Sequence, residues 1–239
     1  MAEKQSGETP QKGPVSTAAK TAALFGIALA VGAAIAVGVY AFQSPKVHQQ
    51  LAGGKGATDV AASTCSVDET MKTRLSAAAT GEVAAFTALD RGFDVSEFGF
   101  LKADGSETRM ADWSGRTVLL NLWATWCAPC RAEMPALQKL QQTLGSDSFE
   151  VVPVSLDLGS MDKPKAFYDE IGLNDLGLYH DAKMASLTTL KKAGLAFGLP
   201  ATLLISTEGC VLGTLNGPAE WAGHDAQNLV KTALTKPQS

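Results

Sequence analysis

Cys127 and Cys130 lie in the stretch LLNLWATWCAPCRAEMP, Leu119 to Pro135, with only Ala128 and Pro129 between them. Two thiols at this spacing can exchange electrons as a dithiol–disulfide couple, supply half of a metal site, or close a structural staple. A structural zinc site needs four ligands. The chain has four cysteines, no second C-x-x-C, and three histidines (His48, His180 and His224), none near the pair in sequence. The surroundings favour electron exchange, with Cu(I) carriage on the dithiol as the alternative. An apolar run, TVLLNLWA, precedes the pair, and a helical pattern runs from Cys127 to about Leu144. A C-x-x-C beside a strand–helix pattern is the signature of a redox dithiol. A cysteine at the start of a helix sits by unpaired N–H groups and the positive end of the dipole. Both stabilise a thiolate and lower the thiol pKa. Cys127 is therefore the expected nucleophile. Cys130, one turn on, is placed to attack the mixed disulfide and release the partner. Pro129 falls in the first turn, where its missing N–H removes no helix bond.

The elements that must hold this pair are legible from periodicity. TVLLNLWA and FEVVPVSLD are near-continuous apolar runs, as expected of strands buried on both faces. FGFLKADGSETRM reads as a hairpin turning at Asp104–Gly105. A helix begins near Met161 or Lys163, LGLYHD is a short strand, and AKMASLTTLKKAG is a helix ending at Gly194. ATLLIS and CVLGTLNG flank a Thr207–Glu208–Gly209 turn, and AGHDAQNLVKTAL closes the chain as a helix. Ser66 to about Leu89 reads as helical, divided into two pieces at Gly81. Early alternation of strands and helices with a late hairpin predicts an α/β fold, a mixed central sheet flanked by helices.

The 239 residues are 46% hydrophobic but only 7% aromatic, with a formal net charge of −4. No basic patch suggests a nucleic-acid partner. From Thr21 to Pro45 the chain carries no charge and closes with Tyr40 and Phe42. A bilayer-crossing helix needs about 20 apolar residues, so residues 21–43 read as a single transmembrane anchor. The run exceeds the roughly 7–15 residues of a signal-peptide core, and a polar tail precedes it. Residues 1–20 read as that disordered cytoplasmic tail, and 44–64 as a flexible tether containing Gly53, Gly54 and Gly56. Residues 65–239 form the folded domain with its N-terminal helical extension. Lys4, Lys12 and Lys20 precede the span while Lys46 and Lys55 follow it, a one-charge bias placing the N-terminus in the cytoplasm.

NLWATWCAPCRAEMP, with the later FGLPATLLI and EGCVLGTLNG, resembles the thioredoxin superfamily, and more narrowly its TlpA-like, membrane-anchored periplasmic thiol–disulfide reductases. The likeness covers about residues 90–236. It implies a thioredoxin-like fold with Cys127 as nucleophile and Cys130 as resolving thiol. Trp126 matches the tryptophan that covers the dithiol, and Pro135 the proline that kinks the active-site helix. Pro200 matches a cis-proline facing the cysteines, leaving the Leu199 backbone free to pair with an extended substrate. Thioredoxin has a buried aspartate where this chain has Asn121, and an amide cannot take a proton near neutral pH. The base for Cys130 is thus unassigned; water or a carboxylate brought near by folding, such as Glu133, is the candidate.

The same resemblance implies a bacterial inner-membrane protein with its catalytic domain in the periplasm, needing neither metal nor cofactor. Its partners would be disulfide-containing cytochrome-assembly proteins (copper-site proteins of cytochrome oxidase, or apocytochrome c), with a membrane thiol carrier as electron donor. In such a compartment Cys65 and Cys210 are expected to pair as a structural disulfide, free buried thiols being the alternative. No histidine lies between Cys127 and Cys130 to add positive charge, which points to a reducing potential. A disulfide-forming oxidase or isomerase is the opposite reading.

Overall fold

The computed structural model describes residues 65–235. The tail, anchor and tether read from residues 1–64 lie outside the described residues, as do the last four. Among the described residues no helix is long and apolar enough to cross a membrane.

The centre is an eight-stranded mixed sheet. Its strands are β1 (Thr87–Ala88), β2 (Gly99–Lys102), β3 (Glu107–Arg109), β4 (Thr117–Trp123), β5 (Phe149–Ser155), β6 (Tyr179–His180), β7 (Ala201–Ile205) and β8 (Val211–Asn216). They run in the order β1-β8-β7-β4-β5-β6-β2-β3. β4, β5 and β6 are parallel; the other pairings are antiparallel. The helices are α1 (Glu69–Ala78), α2 (Ala128–Leu144), α3 (Asp162–Ile171), α4 (Ala185–Lys192) and α5 (His224–Leu234).

β4 is the central strand, and every residue of it is buried. Side chains alternate across a strand, so Leu119, Asn121 and Trp123 face one side while Val118, Leu120 and Leu122 face the other. Leu119 and Trp123 join a core with α1, α2, α3 and α5. Val118, Leu120 and Leu122 join a second core with α4, Phe100, Met110 and Trp113. The near-continuous apolar run is explained by helices and loops covering both faces.

Two readings need correction. The expected second helical piece after Gly81 is only a single 3-10 turn, Gly81–Val83, followed by β1. Gly81 adopts φ of 52°, which ends the helical path. The chain then pairs with β8 and packs Phe86 over Gly213, where an added Cβ would stand 2.2 Å from the ring. Tertiary pairing overrides the helical propensity of the alanines. The helix read from Ala182 begins instead at Ala185. Asp181 holds that start by accepting from Ser186 N and Oγ at 2.8 and 2.7 Å.

Cys65 and Cys210 form a disulfide across 145 residues, with Cα atoms 5.9 Å apart. It fastens the segment before α1 to the start of β8. Gly92 lies against it: a Cβ there would stand 2.0 Å from Cys210 Sγ and 2.7 Å from Cys65 Sγ. Gly92→Ala is therefore expected to keep the bond from forming. Counting thiols in the denatured, unreduced protein checks this, with two additional free thiols expected.

Candidate active site

The site is built where β4 hands the chain to α2. Cys127 is the N-cap of α2, with φ −95° and ψ 98°. Its N–H donates to the Ala124 carbonyl at 3.1 Å, and its own carbonyl accepts from Arg131 N–H at 3.1 Å. The helix thus starts one residue later than the sequence suggests, leaving Cys127 at the mouth of its free N–H groups. Pro129 occupies the first turn, and Pro135 lies inside the helix.

Cys127 and Cys130 are joined as a disulfide, with Cα atoms 5.3 Å apart. The pair is asymmetric: Cys127 keeps 6% of its surface exposed and Cys130 none. An incoming group can meet Cys127 only. Cys130 opens a buried stripe on α2 that continues through Glu133, Met134, Leu137 and Leu140. This is the helical spacing of a core-facing side, with one acid set into it.

That acid is Glu133. It accepts from Asn121 Nδ2 at 2.8 Å, from Ala219 N–H at 3.2 Å and from Trp221 Nε1 at 3.1 Å. Burial pushes its pKa from 4.5 up to about 7, while these three donors pull it back. A carboxylate poised near neutrality one turn from Cys130 is suited to take the resolving thiol's proton. The sequence names Glu133 without assigning it; the signal was an acid on the apolar stripe of an amphipathic helix. Asn121 is a hydrogen-bonding residue of the sheet, donating to Glu133 and to Thr202 Oγ1 at 2.9 Å.

The sign of Glu133's effect on stability follows from the direction of its shift. Between pH 4.5 and about 7 the folded protein holds a proton that the unfolded chain has released. Stability therefore falls as pH rises through this window. At about 1.4 kcal/mol per unit, the loss is about 3 kcal/mol. Glu133→Gln is neutral at all pH, so its unfolding free energy relative to the parent should rise by about that amount across the window. Parallel denaturant titrations of the two oxidised proteins, acid and neutral, measure it.

Pro200 follows a cis peptide bond, Leu199–Pro200, and its carbonyl accepts from Gly217 N–H at 3.0 Å. Ala201 pairs with Leu122, so Pro200 stands at the same end of the sheet as the dithiol, on the neighbouring strand. Trp126 is 63% exposed, which rules out core packing for it. Leu158 and Phe197 are 72% and 75% exposed. They leave β5 and approach β7 at the end where β4 runs into Trp126. The three make an apolar rim at that end of the sheet.

Sequence reasoning missed one supporting group. The buried Asp157 carboxylate accepts from Thr125 N–H and Ser155 Oγ, both at 2.9 Å, and from Thr125 Oγ1. His180 Nε2 donates to the Asp157 carbonyl at 2.7 Å. The loop carrying Trp126 into Cys127 is thereby tied to β5 and β6. A single aspartate at the end of an apolar strand carries no local pattern that would reveal this.

Fold and site together define the class: a thioredoxin-like protein with a Cys-x-x-Cys disulfide at the head of α2. The chain belongs to the AhpC/TSA family, whose model matches residues 92–213. It is 38% identical over 108 residues to the thiol-disulfide oxidoreductase ResA of Oceanobacillus iheyensis, covering 45% of this chain and only about half, 53%, of that protein. It is 28% identical over 150 residues to ResA of Bacillus subtilis, covering 62% of this chain and 80% of that one. Among solved structures it is similar to a Chlorobium tepidum protein provisionally named thiol:disulfide interchange protein DsbE. That match has a TM-score of 0.53 at 26% identity, covering 62% of this chain and 100% of the other.

Proposed function

We propose that the protein is a thiol–disulfide oxidoreductase of the ResA and DsbE type, held in the bacterial inner membrane by residues 21–43 with its folded domain in the periplasm. It acts as a reductant of partner disulfides in respiratory cytochrome assembly. The observation that carries this reading is the Cys127–Cys130 pair at the head of α2, with Cys127 alone reaching the surface.

In the reduced protein the Cys127 thiolate attacks one sulfur of a partner disulfide, and the partner's other sulfur leaves with the bonding pair. Cys130 gives its proton to Glu133 and attacks Cys127 Sγ. The Cys127–Cys130 bond forms and the second partner sulfur leaves. Two electrons have then passed to the partner, whose two thiolates take protons from water, while the proton from Cys130 rests on Glu133 until solvent takes it. A membrane thiol carrier returns the electrons by the reverse exchange. Trp126 and the Pro200 loop supply the docking surface, with the Leu199 backbone pairing with the substrate.

The substrates we assign are copper-site proteins of cytochrome oxidase or apocytochrome c. Both present cysteines that must be reduced before a metal or haem is attached. Cys130→Ser, expressed as the full chain, tests this by trapping the partner. Capture of such a protein as a mixed disulfide supports the assignment; capture of only unrelated proteins overturns it. Equilibration with glutathione tests the direction of flow. A thioredoxin-like potential of about −270 mV agrees with a reductant, whereas one of about −120 mV identifies an oxidase.

A further inference from the structure

The polar cluster behind the disulfide contains an idle atom. Asn121 is fully buried, yet its Oδ1 has no hydrogen-bond partner. Both hydrogens of its Nδ2 are committed, one to Glu133 Oε1 at 2.8 Å and one to Thr202 Oγ1 at 2.9 Å. Buried polar atoms nearly always find partners, so a lone acceptor beside two used donors requires a reason. An ionised carboxylate only accepts, and the observed amide suits that state. Once Glu133 is protonated, its O–H needs an acceptor, and the amide presents an N–H instead.

A half turn of the amide about its last side-chain bond supplies that acceptor, and carries the Nδ2 hydrogens to the place where Oδ1 stands without a partner. Oxygen and nitrogen of an amide are close in size, so Oδ1 would occupy the place of Nδ2 at the same two distances. It would accept from the acid's O–H and from Thr202 Oγ1, because a hydroxyl donates as well as accepts. The other carboxyl oxygen, Oε2, keeps Ala219 N–H and Trp221 Nε1 in either state. The groups bonded to Glu133 are neutral: Asn121 from β4, with Thr202 of β7 behind it, and Ala219 and Trp221 from the segment before α5; Cys130, one turn earlier on its own helix, is held in a disulfide. Among the described residues no charged neighbour competes with the amide for control of this proton.

We propose that Asn121 is the positioning residue of Glu133: its amide donates to the carboxylate, turns over when the carboxyl takes a proton, and then accepts from the acid. Glu133 thereby becomes a reversible store for the proton leaving Cys130, which extends the exchange cycle above and rests on it for the proton's source. Aspartate at 121 would offer the ionised Glu133 a second negative charge in place of a donor.

NMR of the oxidised full-length protein tests this without reference to activity. Across the Glu133 titration, the Asn121 side-chain amide should change with the same midpoint as the Glu133 carboxyl carbon. On the acid side its protons should lose their short-range contacts to Glu133 and Thr202. In Glu133→Gln the Asn121 amide should not titrate. In Asn121→Asp the Glu133 midpoint should rise by about one pH unit or more. Amide protons that keep both contacts throughout the titration overturn the proposal, and the parent protein alone decides the matter if the aspartate variant does not fold. A coupled titration in a protein that reduces no disulfide upholds the amide's role while overturning the exchange reading, so the two failures are distinct.

Discussion

Cys127→Ser is expected to abolish electron transfer to a disulfide substrate, leaving the rate at that of solution without protein. The pair is sequential, not redundant. Cys127 is the one residue of the pair with any exposure, while Cys130 is fully buried. With Cys127 gone, Cys130 is fully buried and cannot reach a partner. Cys130→Ser should fail differently. Its Cys127 still attacks, but nothing resolves the product, so the mixed disulfide accumulates to one equivalent. Insulin reduction followed by turbidity, with mass spectrometry of the unreduced protein, separates the two. Multiple turnovers by Cys127→Ser, or no adduct from Cys130→Ser, would contradict the assigned order.

The second large effect concerns stability. Replacing Cys65 and Cys210 together by serine is expected to lower the unfolding free energy by about 5 kcal/mol, on the chain-entropy model for so long a loop. The enclosed span is 145 residues. That loss is a large part of the roughly 5–15 kcal/mol of a typical domain. The bond lies far along the chain from Cys127 and Cys130, so the variant should keep its exchange activity at low temperature while its denaturant midpoint drops. An unchanged midpoint would mean that α1 and the segment before it are held by packing alone. Those contacts are real: Met71, Leu75 and Ala78 are buried in the larger core, and Arg74 bonds the carbonyls of Thr232 and Thr235 at the end of α5.

The central strands and the active-site helix were legible because their patterns are strong. TVLLNLWA is apolar at nearly every position, and β4 is buried on both faces. The stripe through Cys130, Glu133, Met134, Leu137 and Leu140 announces α2. β1 was not legible, since a two-residue strand has no period and the alanines around it favour helix. The site was half legible. Cysteine spacing pointed to the dithiol, the likeness to TlpA-like proteins pointed to Pro200, and an oxidising compartment pointed to pairing of Cys65 with Cys210. Glu133 is assigned a role only once its surroundings are seen, because its proton affinity is set by burial and by Asn121, Ala219 and Trp221, distant in sequence. The same holds for Asp157, whose partners are Thr125 on another loop and Ser155 at the end of β5.

The claim on which all else depends is that reduced Cys127 is an acidified thiol open to solvent. The rate of iodoacetamide alkylation against pH, with the modified residue located by peptide mapping, tests it most directly. Labelling is expected at Cys127 and not at Cys130, with a midpoint well below the roughly 8.5 of a free cysteine. Labelling at Cys127 with an ordinary midpoint, or none at all in the folded reduced protein, would contradict it.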